Sequence, residues 1–181
     1  LLATVGAKPV VVHGGGPQAT ELQERLGVES RFVEGRRITD DATLEAAKLV
    51  FAGKINIEML SALRAEGLHA VGLNGLSGGL ITARRREALP MTDPATGEVR
   101  SVDFGHVGDI ENVDSRVLRV LMDAGYVPVV ASLGADRKGN VLATSVDAVT
   151  IYAVPSAIAD EVGTVRKLCA VFADCSRKER Q

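Results

Sequence analysis

A short apolar run that ends in three glycines leaves a chain few ways to fold. Pro9-Val10-Val11-Val12 reads as a buried strand, and His13-Gly14-Gly15-Gly16-Pro17-Gln18 reads as the turn that carries it into a helix. Glycine lets backbone N–H groups approach a ligand closely, and a helix start adds unpaired N–H donors and partial positive charge. The stretch therefore suits an anion site. A flexible strand-to-helix connection would use the same residues, and the triplet alone does not separate the two readings.

The following residues repeat the strand-helix alternation. A helix is predicted from about Gly16 to Leu26, on the spacing Ala19, Leu22, Leu26, with Gly27 as its stop. After a polar connector, Thr39 or Asp40 can cap a helix running to about Ala52. Asn56 to Ala65 reads as a further helix with Ile57, Leu60 and Leu63 at helical spacing, and His69–Leu73 as a second strand. Leu80–Ala83 reads as a strand with Val99–Phe104 as its return across the turn Asp93–Glu98, and Val107–Val113 follows. Asp114 can cap a helix through Asp123, and Tyr126–Ala131 is the next buried strand. Asp147 to about Ala159 reads as helical, although Pro155 should break or kink it. This order predicts an α/β fold with a mainly parallel sheet. Ligands in such folds sit at the carboxyl ends of strands, which would gather Gly14–Gly16, Leu73–Gly79 and Ser132–Gly134 on one edge.

Composition narrows the function classes. Aromatics are 3% with no Trp, so the core has to be aliphatic. A net charge of -2 gives no general pull toward nucleic acid or a membrane surface. No apolar run reaches the roughly 18 residues of a membrane span. Cys169 and Cys175 lack zinc spacing and are too few for a disulfide scaffold, which fits a reduced, cytoplasmic setting. The 181 residues suit one domain, or one domain with part of another. Leu1 to Ala7 reads like the last turn of a helix, so a partial chain is expected.

Several residues could carry chemistry. Arg36 and Arg37 follow Gly35; an arginine fork binds carboxylate or phosphate through two parallel bonds, but two solvated loop arginines would look the same. Asn74-Gly75-Leu76-Ser77-Gly78-Gly79 could let backbone approach a ligand or simply form a tight turn. Arg84-Arg85-Arg86 has no aromatic partners and fits a solvated strand or an anion-facing edge better than a nucleic-acid patch. His106 reads as a packed histidine and Lys54 as a surface lysine. Asp147 sits where a loop should become a helix, as a cap or as an acid that positions a lysine or a metal. No Ser–His–Asp set and no metal cluster can be assembled.

Taken together, the stretches VVVHGGGPQ (10–18), EGRRITD (34–40), AGKIN (52–56), AVGLNGLSGG (70–79), VDFGHVGDI (102–110) and GYVPVVASLG (125–134), with Asp147 after a GNVL turn, resemble the amino-acid kinase family, most closely its acetylglutamate kinase branch. They occur in the family's order and spacing over roughly residues 1–150. The resemblance implies an open three-layer α/β/α sandwich with a β-hairpin lid around residues 80–110. It implies ATP-dependent phosphorylation, with Mg2+, of the side-chain carboxylate of N-acetyl-L-glutamate, an arginine-biosynthesis step; acetylaminoadipate kinases of lysine biosynthesis share the same pattern, and a non-catalytic acyl-amino-acid-binding domain could retain it. The resemblance gives Gly14 and Gly15 the acyl-amino acid and the transferred phosphoryl group, Arg37 the substrate's α-carboxylate, and Asp147 the catalytic lysines to hold in place. It implies no nucleic-acid or membrane partner, and a homo-oligomer at full length. Residues 1–150 would be the substrate-binding part and 151–181 a truncated or divergent start of the nucleotide-binding part. The family's opening Lys-x-Gly-Gly strand and its ATP-binding half have no counterpart here, and Ala143 stands where the family has a substrate-contacting asparagine. Little or no ATP turnover is expected of these 181 residues alone.

Overall fold

The computed structural model describes residues 8–92, 97–144 and 150–154, the last five as backbone alone. β1 (Lys8–His13) leads into α1 (Gly16–Arg25), and the small ribbon β2 (Phe32–Val33) and β3 (Arg36–Arg37) follows. Asp40, one of the two predicted caps, starts α2 (Asp41–Lys48) by accepting a hydrogen bond from the Thr43 N–H at 2.9 Å. The helix does not stop near Ala52. It widens into a π-helical stretch, Leu49–Ile55, and continues as α3 (Asn56–Ala65). β4 (Ala70–Asn74) comes next, then β5 (Ile81–Arg85), β6 (Leu89–Thr92), β7 (Val99–Val102) and β8 (Val107–Val113). The described chain closes with α4 (Arg116–Asp123), β9 (Val127–Ala131), β10 (Leu133–Ala135), β11 (Val141–Thr144) and β12 (Thr150–Val154).

The main sheet has the order β12-β1-β9-β4. β1, β9 and β4 are parallel, and β12 runs antiparallel along the outer edge of β1, from Lys8 opposite Val154 to Val12 opposite Thr150. Alternation along β1 divides the core between two helices. Val10 and Val12 pack with Leu118 and Met122 of α4, while Val11 joins Val127 and Val129 in a cluster that touches Met59, Leu60 and Leu63 of α3. The mixed α/β architecture with a parallel sheet is as expected, and its core is aliphatic apart from Phe51 and Phe104 among the buried hydrophobic residues described.

Three local expectations need correction. Val99–Phe104 is not the return strand of Leu80–Ala83. β5 pairs antiparallel with β8 instead, while β7 pairs with β6 as a separate ribbon. β5 and β8 bury Ile81, Ala83 and Val113, whereas β6 has no buried residue and β7 buries only Val102, so the apolar strand found the apolar partner. Thr150–Val154 is a strand rather than part of a helix: it carries β-branched and aromatic residues, and the open edge of β1 offers it a ladder. Ile57, grouped with Leu60 and Leu63 by helical spacing, does not share their face and is 64% exposed.

Candidate substrate site at the glycine turn

The three parallel strands end in register, with His13 beside Ala131 and Ala131 beside Asn74. The segments 14–16, 75–79 and 132–134 therefore emerge along one edge of the sheet, as the strand order required. Backbone bonds join them. The Ser132 N–H donates to the His13 carbonyl at 3.0 Å, and the Gly75 N–H to the Leu133 carbonyl at 2.7 Å.

Gly14 is buried and Gly15 half-buried. Gly15 stands at the N-cap of α1 with proline in the first turn, and no side chain caps the helix. The first amides of α1 are thus left for a ligand, at the end where the helix dipole favours an anion. A Cβ added at Gly15 would meet the Cδ1 methyl of Ile55 and lie 3.0 and 3.1 Å from two ring atoms of Phe51. Only glycine lets the turn come this close to the π-helical stretch.

Arg37 reaches this turn from β3. Its Nη2 donates to the Gly16 carbonyl at 3.0 Å and to the Thr20 hydroxyl; its Nη1 donates to Gln23 Oε1 at 2.5 Å and to the Ser30 hydroxyl at 3.3 Å. The guanidinium also lies over the Phe32 ring, 4.8 Å from its centroid. All of these hydrogen-bond partners are neutral. Burial pushes the Arg37 pKa below its ordinary value, and an incoming carboxylate would replace neutral acceptors with stronger, charge-assisted ones. Arg36 precedes it on the strand and so points to the other face.

The remaining candidates divide clearly. Lys54 pairs with Glu58 at 3.0 Å on the surface, as read. His106 Nε2 lies 2.7 Å from Asp41 Oδ1. Arg84, Arg85 and Arg86 pair with Glu87, Asp103 and Asp109 respectively, so the basic run is spent on ion pairs. The loop 74–79 is a tight turn, with the Leu76 N–H donating to Asn74 Oδ1 at 3.0 Å and the Asn74 N–H to Ser77 Oγ at 3.1 Å. Ala143 lies in β11 beside Leu133 and Val107. Asp147 lies outside the described residues.

Sequence reasoning missed two buried polar residues here. Gln23, fully buried, donates to Thr43 Oγ1 at 2.8 Å and accepts from Arg37. Asn56 is also buried, and its amide nitrogen lies 3.2 Å from Nε2 of the fully buried His13. The available signal was a polar residue on an otherwise apolar helix face. Among the described residues no group of His, Cys, Asp and Glu could hold a metal ion, and no helix is long and apolar enough to cross a membrane.

Residues 1–165 match the Amino acid kinase family. The chain belongs to this family. Among similar proteins, the acetylglutamate kinase of Methanothermobacter thermautotrophicus is 43% identical over 149 residues, which is 82% of this chain and 51% of the relative. That of Myxococcus xanthus is 46% identical over 149 residues, 82% of this chain and 48% of the relative. The fold is similar to that of the crystal structure of smu.665 from Streptococcus mutans UA159, at a TM-score of 0.60 and 24% identity over 74% of this chain and 49% of that one. This amino acid kinase chain spans about half the length of the curated relatives it matches.

Proposed function

We propose that this chain is the substrate-binding part of an acetylglutamate kinase, which phosphorylates the side-chain carboxylate of N-acetyl-L-glutamate at the expense of ATP in arginine biosynthesis. The observation that carries the reading is the convergence of an uncapped helix start, a glycine turn and a guanidinium with neutral partners at the ends of parallel strands. In this reading Gly14 and Gly15 amides hold the acyl-amino acid and the phosphoryl group in transfer, and Arg37 holds the α-carboxylate. Asp147 would hold the catalytic lysines in place. Phosphoryl transfer needs little covalent help from a protein, so positioning and charge neutralisation are what such residues supply. Mg2+ would arrive on the nucleotide's phosphates rather than on protein ligands of the described residues.

The fold reading that accompanies this function is an open three-layer α/β/α sandwich. The β6–β7 ribbon, within residues 80–110, belongs neither to the main sheet nor to the sheet of order β10-β11-β8-β5, and would serve as the lid on the substrate. Residues 1–150 would form the substrate-binding part and 151–181 the start of the nucleotide-binding part, in a cytoplasmic enzyme that is a homo-oligomer at full length. Isothermal titration of the 181-residue chain with N-acetyl-L-glutamate, and in parallel with N-acetyl-L-2-aminoadipate, tests the reading. Preferential binding of N-acetyl-L-glutamate is expected; preference for the longer acid would reassign the substrate, and binding of neither would remove the proposal.

A further inference from the structure

The motif AGKIN contributes to the family likeness, yet the site described above gives its asparagine no role. Asn56 occupies a singular place. Its Nδ2 lies 3.1 Å from the Val129 carbonyl, 3.2 Å from His13 Nε2 and 3.4 Å from the Leu73 carbonyl. One side chain thus touches all three parallel strands, β9, β1 and β4. Its Oδ1 fills the space where a Cβ on Gly72 would go, so β4 needs glycine at that point.

This geometry fixes protons. Two carbonyls beside Nδ2 identify that atom as the donor. His13 Nε2, facing the same nitrogen, must accept, so the ring of a neutral His13 carries its proton on Nδ1. That Nδ1–H then donates to the Gly14 carbonyl at 3.0 Å. Burial favours the neutral ring by pushing the His13 pKa below its ordinary value. The Gly14 carbonyl and the Gly15 N–H belong to one planar trans peptide and point in opposite directions. Holding the carbonyl toward His13 therefore turns the Gly15 N–H away from it, and among the described residues no acceptor takes that N–H. Ile55, next to Asn56 in sequence, closes the other side of Gly15.

Resting on the substrate reading above, we infer that Asn56 and His13 are positioning residues: Asn56 sets the His13 tautomer, and His13 sets the peptide plane that aims the Gly15 N–H at the anionic ligand. Both side chains are buried and act through the backbone of the turn. Asn56 acts from the junction of the π-helical stretch and α3, where the change of helical pitch brings its side chain under the sheet.

Heteronuclear NMR on the 181-residue chain tests this. The wild-type His13 ring is expected to be neutral with the proton on Nδ1. Asn56→Ala should release that tautomer, shift the Gly15 amide resonance while leaving the Gly125 and Gly139 amides in place, and weaken N-acetyl-L-glutamate binding about tenfold, the factor carried by one ordinary net hydrogen bond. His13→Asn places an amide nitrogen near the Nδ1 position and should keep the Gly15 resonance near wild type. Adding Asn56→Ala to His13→Asn should then move it little further. If Asn56→Ala does not fold, Asn56→Ser keeps a polar group in the pocket, one bond short of His13, and serves in its place. An unmoved Gly15 amide in the Asn56 variants, an Nε2-protonated wild-type ring, or strictly additive effects would overturn the inference. Absence of N-acetyl-L-glutamate binding by the wild type would remove the substrate reading while the tautomer and amide shifts still decide this one.

Discussion

Gly15→Ala is the sharpest probe of the cradle, because the added methyl has named neighbours. The new Cβ falls against Ile55 Cδ1 and lies 3.0 and 3.1 Å from Phe51 ring atoms. Inserting one methyl into packed surroundings costs typically 1–3 kcal/mol, about 2 here, since Ile55 Cδ1 stands directly in its path while the Phe51 ring need give only slightly. Ile55→Val removes the offending Cδ1 and alone should cost about 1 kcal/mol, the usual loss for one buried methyl. Independent effects would sum to about 3 kcal/mol in the double variant. If the methyl–methyl clash dominates, the double variant should cost only about 1–2 kcal/mol, a favourable coupling of at least about 1 kcal/mol. Urea unfolding of the four proteins, followed by circular dichroism, measures this directly, with equal m values required for the comparison. A neutral Gly15→Ala, or a double variant that is additive within about 0.5 kcal/mol, would refute the argument that the turn is pressed against Ile55.

Two further outcomes follow from the same site. Arg37→Ala should weaken N-acetyl-L-glutamate binding by tenfold or more, roughly the loss of a charge-assisted pair, while Arg36→Ala should have a smaller effect; equal losses in titration calorimetry would end the assignment. Asp40 has its pKa held below the usual carboxylate range, first by the hydrogen bond from the Thr43 N–H. Its contribution to stability is then complete above the unfolded-state pKa of about 3.9 and is lost as pH falls through the lower folded-state value. Asp40→Asn keeps a good helix cap and should flatten that part of the acid stability profile; an unchanged profile would show that the cap does not titrate.

What could be read from the sequence was whatever is settled by neighbours along the chain. The strand ending at His13, the helix opening beyond Gly15 and the Asp40 cap all follow from local residue types, and they lie where expected. The edge shared by three glycine-bearing loops also followed, because parallel strands must end together. Pairing choices were not legible. Nothing local tells Ile81 to lie opposite Val113 rather than a residue of 99–104, because that choice depends on which face each strand buries. Arg84–Arg86 look like a free basic run until Asp103 and Asp109 are brought to them across about twenty residues. Asn56 shows in the sequence only as a polar residue on an apolar helix face; its role was not legible because its three contacts come from three separate strands. The likeness to the amino acid kinase family supplied Gly14, Gly15 and Arg37 as a set; the geometry adds a bond between the Arg37 guanidinium and the carbonyl of Gly16, the next residue in the turn.

The parallel pairing of β1 with β9 sets Val11 against Val129, partners separated by more than a hundred residues of chain. Such a contact returns nothing until the intervening loop has been closed, so chains rich in them fold slowly. The His13 carbonyl meets the Ser132 N–H only at that closure. During synthesis the glycine turn emerges before β9, and it has no floor until residues 127–132 have left the ribosome. Until then Val10, Val11 and Val12 lack their β9 neighbours, and the interval before β9 arrives is the one in which this amino acid kinase chain has most need of protection from aggregation.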